Sequence, residues 1–131
     1  PPRECVWWGC IAAREVLSGE ETNCLKASEA WVFEPNDANR IKVKSAMDAA
    51  DLGDDTALLA MAALYAEGNL GPSDDLKDFP APPSAVSCSV FGLNIKTLDK
   101  AGDFDLQLQV ILDRALNIAR GGNGMLSNED V

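Results

Sequence analysis

Hydrophobic residues recur along most of the chain at spacings of three and four, which is the pattern of amphipathic helices. Short polar breaks rich in glycine, proline, serine and aspartate separate these segments. Pro35 and Gly68 mark two of the breaks, while Asn36 and Asp103 stand where the N-cap of a helix is expected. The pattern predicts helices over 4–18, 23–33, 36–51, 56–66 and 104–119.

One further segment, SAVSCSVFGLNIKTL over 84–98, fits two kinds of element. Val86, Cys88 and Val90 alternate with serines as they would in a strand, but the same run is compatible with a buried helix. We predict that this segment is helical.

The segment 56–66 has no charged side chain on any face, which is typical of a helix surrounded by other helices. The last predicted helix is amphipathic, and its apolar side chains occupy a single broad arc made by Phe104, Leu108, Ile111, Leu112, Ala115, Leu116, Ile118 and Ala119. We therefore predict an all-α bundle of five or six helices around a buried central helix at 56–66.

The segment 68–83 holds four prolines and two glycines, which exclude regular structure across most of it. We expect an irregular crossing that Leu76 and Phe79 hold against the bundle. The chain is predicted to form a single helical domain over 1–120, followed by a flexible tail over 121–131.

Four large apolar side chains fall outside the apolar faces of their helices. On a helical wheel Trp7 and Ile11 lie among charged residues of the first helix, and Leu106 and Val110 lie on the polar side of the last. Isolated exposed apolar residues are common, but Trp7 and Ile11 need covering, either by another part of the chain or by a partner. All four are candidate partner-binding residues.

The net charge of −10 is unevenly distributed, because residues 45–131 contain five Lys or Arg and fourteen Asp or Glu. Nucleic acid and anionic membrane surfaces are disfavoured as partners, since the chain lacks a basic stripe for phosphates. A basic protein is a compatible partner. No apolar run reaches the ~20 residues that a membrane-spanning helix needs.

The four cysteines, Cys5, Cys10, Cys24 and Cys88, show neither disulfide nor zinc spacing. Cys5 and Cys10 lie roughly 140° apart on one predicted helix, and the chain has no histidine and no C-x-x-C pair. We predict free, buried thiols, no metal, no cofactor and, as the default for reduced cysteine, a cytoplasmic location.

Candidate catalytic groups are few. Without histidine there is no Ser-His or Cys-His couple. The pairs Asp54-Asp55 and Asp74-Asp75 are better explained as helix caps and solvated loop residues than as acid-base pairs or cation ligands. We expect no enzymatic activity.

Four stretches taken together resemble an uncharacterised family of small helical bacterial proteins: ECVWWGCIAAREVL, ASEAWVFEPNDANRIKVKSAMDAADL, ALLAMAALYAEGNLGP and PAPPS. Members of that family show a Trp-Trp first helix, an A-W-V-x-x-P-x-x-x-N-R junction and a Pro-rich crossing. The resemblance covers about 4–120, although relatives tend to have an alanine-rich helix after Pro83. It implies a loose association with type VI secretion gene neighbourhoods, and so an accessory, adaptor or chaperone-like role.

The A-W-V-x-x-P-x-x-x-N-R junction also has a structural interpretation. Trp31 packs in the core, Pro35 stops one helix and Asn36 starts the next. Asn39 and Arg40 are placed to bond the free backbone groups at that corner.

Three functions remain open from the sequence. We favour a non-catalytic protein-interaction module, which the resemblance would make a component of type VI secretion. An acidic immunity protein that neutralises a toxin is the alternative. An enzyme of unknown class is the least favoured.

Overall fold

The computed structural model describes residues 1–126, which contain six α-helices. They are α1 Pro2–Leu17, α2 Asn23–Phe33, α3 Asp37–Ala49, α4 Ala57–Tyr65, α5 Ala85–Lys100 and α6 Phe104–Ala119. No strand occurs in this range beyond one isolated bridge between Asn69 and Pro80. The predicted all-α bundle is confirmed, and positions 127–131 of the predicted tail lie outside the described residues.

Side-chain caps start two helices at the positions that the sequence indicated. Asn36 Oδ1 accepts a hydrogen bond of 2.8 Å from the Asn39 amide, and Asp103 Oδ1 accepts one of 3.1 Å from the Leu106 amide. Each cap satisfies an amide of the first turn that has no partner within the helix. Pro35 separates α2 from α3, as its effect on the preceding residue requires.

The segment that fitted both helix and strand is helical, since α5 runs through it without interruption. Its buried residues Val90, Leu93, Asn94 and Thr97 share one helical face. The serines that suggested alternation do not form the outer side of a strand, because Ser89 is buried beside Val90.

α4 is the central helix of the bundle. No residue from 56 to 66 is exposed, and α4 contacts α1, α2, α3 and α5. The close approach of α1 depends on Gly9, where an added Cβ would lie 3.1 Å from both Leu59 Cδ1 and Val90 Cγ2. The absence of charge in this segment follows from its position, because every face of α4 is at least partly covered by the rest of the protein.

The Pro-rich crossing is an irregular loop closed at its base by backbone hydrogen bonds. The Leu70 amide donates to Phe79 O at 3.0 Å, and the Ala81 amide donates to Gly68 O at 2.9 Å. Leu76 is half-buried, but the ring of Phe79 is exposed. The prediction that Phe79 holds the crossing against the bundle is therefore wrong for its ring, and the Phe79 carbonyl instead closes the loop on itself by bonding Leu70.

At the corner between α2 and α3, Trp31 is buried in the core and Asn39 bonds the end of α2. Asn39 Nδ2 donates to Glu34 O at 2.8 Å and to Ala30 O at 3.3 Å. The Ala30 and Glu34 carbonyls also accept a backbone amide, from Glu34 and Asn36 respectively, so Asn39 adds a second hydrogen bond to each and ties the start of α3 to the end of α2.

Arg40 does not bond that corner and instead crosses the bundle to the C-terminal end of α4. Its guanidinium is buried and donates to Leu64 O through Nε at 2.9 Å and Nη2 at 2.6 Å, and to Asn69 O at 3.0 Å. Arg40 Nη1 also forms an ion pair with Glu67 Oε2 at 3.3 Å. Arg40 therefore joins α3, the end of α4 and the start of the Pro-rich crossing.

Candidate protein-interaction surface

α6 is attached to the bundle along one side only. Within residues 1–126 it contacts α1 and α5 and none of the other helices. Ile111 and Ile118 are its two buried side chains. The remaining surface of this 16-residue helix therefore faces solvent or is only partly covered.

Polar side chains hold the docked side of α6 to the neighbouring helices. Gln107 Nε2 donates to Glu15 Oε2 of α1 at 2.8 Å and to Thr97 Oγ1 of α5 at 3.0 Å. Arg114 forms an ion pair with the same Glu15. Glu15 thus fixes which side of α6 faces α1.

The exposed part of α6 is strongly apolar. Phe104, Leu108, Leu112 and Leu116 follow one another at a spacing of four, and each is between 38% and 58% exposed. The sequence placed them in one arc with the two buried isoleucines, but the structure buries only one edge of that arc. The contacts to Glu15 account for the difference, because they turn the polar edge of α6 toward α1.

α5 adds two exposed apolar side chains beside α6. Phe91 is 60% exposed and Ile95 is 40% exposed, on the side of α5 away from its buried residues Val90 and Leu93. α5 and α6 contact each other and are joined by three residues. We call the combined surface the α5-α6 apolar face, and it consists of Phe91, Ile95, Phe104, Leu108, Leu112 and Leu116.

A groove of about 190 Å³ lies next to this face, between the N-terminal half of α1 and the C-terminal half of α6. Trp8, Cys5 and Ala119 are among its lining residues. Trp8 is half-buried, and its buried Nε1 has no hydrogen-bond partner among the described residues. The groove is thus apolar with one free donor near it.

The chain itself covers Trp7 and Ile11. Trp7 packs edge-on against Phe33 with ring centroids 5.6 Å apart, and its Nε1 donates to Asn123 O at 2.7 Å. Ile11 is buried, with Gly124 placed directly against it. Of the two alternatives that the sequence left open, coverage by the chain is the one observed, and Ile11 is not accessible to a partner in this conformation.

The covering segment is the first part of the predicted tail. Residues 121–126 turn back over α1, and the Gly124 amide donates to Asn117 Oδ1 at 2.8 Å. Gly121 and Gly124 have φ values of 91° and 75°, which L side chains rarely adopt. The prediction of a flexible tail over 121–131 included this segment. The closely spaced glycines of GGNG, which permit a reversal of the chain directly after a helix, are the signal that it did not use.

Leu106 and Val110 lie apart from the α5-α6 apolar face. Leu106 is exposed on the other side of α6, and Val110 is half-buried. Among the four predicted contact residues, Leu106 is thus the one whose large side chain remains mainly exposed. The exposed stripe of α6 was missed because the wheel cannot tell which part of an apolar arc is covered.

The cysteine thiols are all free and differ in exposure. Cys10 and Cys24 are buried, Cys5 is half-buried, and Cys88 is exposed on the outer side of α5. The prediction of buried thiols is therefore wrong for Cys88, which lies on the face opposite Val90. Burial raises the pKa values of Cys5 and Cys10 and raises that of Cys24 to about 11, so these thiols are poor nucleophiles at neutral pH.

The paired aspartates occupy structural positions. Asp54 Oδ1 accepts from the Thr56 amide at 2.9 Å at the start of α4, Asp55 pairs with Lys96 at 3.1 Å, and Asp74 pairs with a lysine three residues later. No group of three metal-ligating side chains is found within residues 1–126. None of the helices described there has both the length and the apolar character that spanning a bilayer requires.

Comparison with known proteins identifies a family. Neither a curated protein nor a solved structure matches the chain. A family model described as "Family of unknown function (DUF6931)" matches residues 1–119, which include all six helices and the α5-α6 apolar face. The chain belongs to this family of unknown function, DUF6931.

Proposed function

We propose that the protein is a non-catalytic protein-interaction module that binds another protein through the α5-α6 apolar face. The observation that supports this proposal is the one-sided attachment of α6, which leaves four large apolar side chains exposed in a row. Contiguous exposed apolar side chains are typical of contact surfaces, whereas single ones are not.

The exposed fractions indicate how much a partner would gain. Full burial of a leucine or phenylalanine contributes about 1.5 to 3 kcal/mol, so covering each half-exposed side chain of this face would contribute roughly 1 kcal/mol. Six such side chains would together contribute several kcal/mol, from which the costs of association are subtracted. The net charge of −10 favours a partner of basic character.

The cellular role that we propose is that of an accessory, adaptor or chaperone-like component of bacterial type VI secretion, acting in the cytoplasm. Its support is the resemblance described above. An adaptor needs a stable scaffold with an accessible contact face, which the bundle and α6 supply.

Affinity capture from the native cell tests this function. We expect the wild-type protein to retain a type VI secretion component, and the double variant Leu108→Asp with Leu112→Asp to lose it. Leu52→Asp is the matched control, because Leu52 is fully exposed between α3 and α4, away from the face. Equal capture by the double variant and the control, with all proteins shown to be folded by circular dichroism, would contradict the proposal.

A toxin-neutralising immunity protein is a second candidate. It is favoured by exposed carboxylates in two loops, namely Asp51, Asp55, Asp74, Asp75 and Asp78. Binding through these loops would weaken steeply as ionic strength rises, because exposed charges are screened. Binding through the apolar face would depend little on salt, so a salt titration of the captured complex separates the two functions.

A further inference from the structure

We propose that the occupant of the α5-α6 apolar face is a single amphipathic α-helix of the partner, with leucine-type residues on one side and Lys or Arg along its flank. This inference rests on the proposed function and specifies the partner's contact element. It follows from the shape of the exposed face, its neighbouring groove and the charges along its edge.

The exposed stripe has the shape of a helix-binding surface. Phe104 and Leu116 are twelve residues apart, so the stripe extends about 18 Å along α6 and turns by roughly 120° around it, at about 40° for each step of four residues. Phe91 and Ile95 are exposed on α5, the helix that contacts α6. A ridge at a spacing of four is inclined to the axis of its helix, so a second helix packs onto it at a crossing angle of about 50°, with apolar residues at spacings of three and four.

The groove at Trp8 provides a place for one anchoring side chain. It lies at the C-terminal end of α6, where Ala115 and Ala119 are small and leave room for a side chain between α6 and α1. An anchor from the bound helix would enter here and contact the indole of Trp8. Aromatic residues in apolar grooves are common sites of the largest energetic contributions to binding.

Charge along the edge of the face distinguishes the possible occupants. Glu4, Asp99 and Asp105 are exposed near it, together with one cation, Arg120, one turn beyond Leu116, whereas the cation Arg114 is turned inward onto Glu15. A second copy of this chain would bring the same acidic edge and a further net charge of −10 to the contact. Charge complementarity therefore favours a basic helix over self-association.

Binding of model peptides to the full chain tests this inference by isothermal titration calorimetry. The probe is an 18-residue helical peptide of leucine and lysine with leucines on one face. Two comparison peptides are the same sequence with glutamate in place of lysine, and a scrambled leucine-lysine peptide without an apolar face. We expect the facially amphipathic leucine-lysine peptide to bind at least about tenfold more tightly than either of the others.

Matched variants locate the binding. We expect the Leu108→Asp and Leu112→Asp double variant to weaken binding of the leucine-lysine peptide by about tenfold or more. The two added carboxylates would strengthen a purely electrostatic contact with the lysines of the peptide. Weaker binding of the double variant would therefore indicate that the apolar contact is lost. Leu106→Asp is the control, since it places one carboxylate on the other exposed side of α6 and is expected to change the affinity less than about threefold.

Several outcomes would overturn the inference. Equal binding of the leucine-glutamate or scrambled peptide would exclude a basic amphipathic helix as the specific occupant. Sedimentation that shows a wild-type dimer, dissociated by the double variant, would identify a second copy instead. If no peptide binds while cellular capture still depends on Leu108 and Leu112, the helical occupant is excluded and the proposed function stands. If the peptide binds as expected while capture is unaffected, the proposed function fails instead.

Discussion

The indole Nε1 of Trp7 donates a hydrogen bond of 2.7 Å to the carbonyl oxygen of Asn123, across 116 positions of sequence. This bond joins the first helix to the segment that follows the last one. With Gly124 packed against Ile11, it closes the side of α1 that α2, α5 and α6 leave uncovered. The surface of α1 that the sequence offered to a partner is thus occupied by the chain itself.

Gly124 should control this closure. An added Cβ at Gly124 would lie 2.6 Å from Ile11 Cδ1 and 2.9 Å from Ile118 Cδ1, and its φ of 75° disfavours any L side chain. We expect Gly124→Ala to lower the free energy of unfolding by about 2 to 3 kcal/mol and to shift tryptophan emission to longer wavelength as Trp7 becomes hydrated.

Gly121→Ala is the matched control for this prediction. Gly121 also has a positive φ, 91°, but an added Cβ there would meet nothing within 4 Å. Gly121→Ala should lower the free energy of unfolding by only about 1 to 2 kcal/mol, through backbone strain. Urea unfolding and emission spectra of the two variants would contradict the prediction if both changed stability and emission equally.

Arg40 should be required for the stability of the bundle. Its guanidinium is buried and bonds two carbonyls, Leu64 O and Asn69 O. We expect Arg40→Ala to lower the free energy of unfolding by about 3 to 5 kcal/mol, because it leaves these acceptors unsatisfied and creates a cavity.

Two further variants separate the contributions of Arg40. Arg40→Lys keeps the charge but loses the forked geometry, so we expect about half of the full loss. Lys42→Ala, at an exposed position of the same helix, should change stability by less than about 0.5 kcal/mol. Thermal melts in which Arg40→Ala resembles Lys42→Ala would show that the Arg40 bonds are not important for stability.

Helical glycines of this bundle should respond in opposite directions to substitution. At Gly92 the nearest side-chain atom to an added Cβ would be Leu58 Cδ1 at 3.7 Å, an ordinary contact, so Gly92→Ala should stabilise the protein by about 0.5 to 1 kcal/mol. At Gly9 the added Cβ would already be 3.1 Å from Leu59 and Val90, and Gly9→Val should destabilise the protein by about 2 kcal/mol or more.

Chemical denaturation of both variants checks this pair. The two residues occupy neighbouring helices of similar length, and alanine and valine both have a higher helix propensity than glycine, so propensity alone would make both substitutions stabilising. An increase in stability for Gly9→Val would show that α1 can move away from α4 and α5 without loss of packing.

Much of the fold could be predicted because its signals are local. Asn36, Asp103 and Pro35 act on amides or on the backbone within a few residues, and the absence of charge in 56–66 reflects burial on every side. These signals do not depend on which distant residue is nearby. The starts of α3 and α6 and the central position of α4 therefore agree with the sequence.

The contact surface could not be predicted in the same way, because it depends on how helices dock. Glu15, bonded by Gln107 and paired with Arg114, decides which side of α6 is covered, and these partners are more than ninety positions apart. Arg40 was likewise assigned to a nearby corner although its acceptors lie at the end of α4. A helical wheel treats each helix alone and contains no information about these pairings.

The buried thiol of Cys24 should make stability depend on alkaline pH. Burial first, and then the negative charge of Asp54, raise its pKa from 9.0 to about 11, while a hydrogen bond with Thr56 partly opposes this. The folded protein therefore holds the thiol proton more tightly than the unfolded chain does. The resulting stabilisation is fully present below pH 9 and is lost as the pH rises from 9 to 11.

Comparison of wild type with Cys24→Ala isolates this effect, since every other titrating group is common to both proteins. We expect the difference in free energy of unfolding, measured in urea under reducing conditions, to be constant below pH 8. Between pH 9 and 11 the wild type should lose about 1 to 2 kcal/mol of its advantage. Cys88→Ala removes an exposed thiol and should show a constant difference throughout. A flat profile for Cys24→Ala would mean that the Cys24 thiolate is as well solvated in the folded protein as in the unfolded chain.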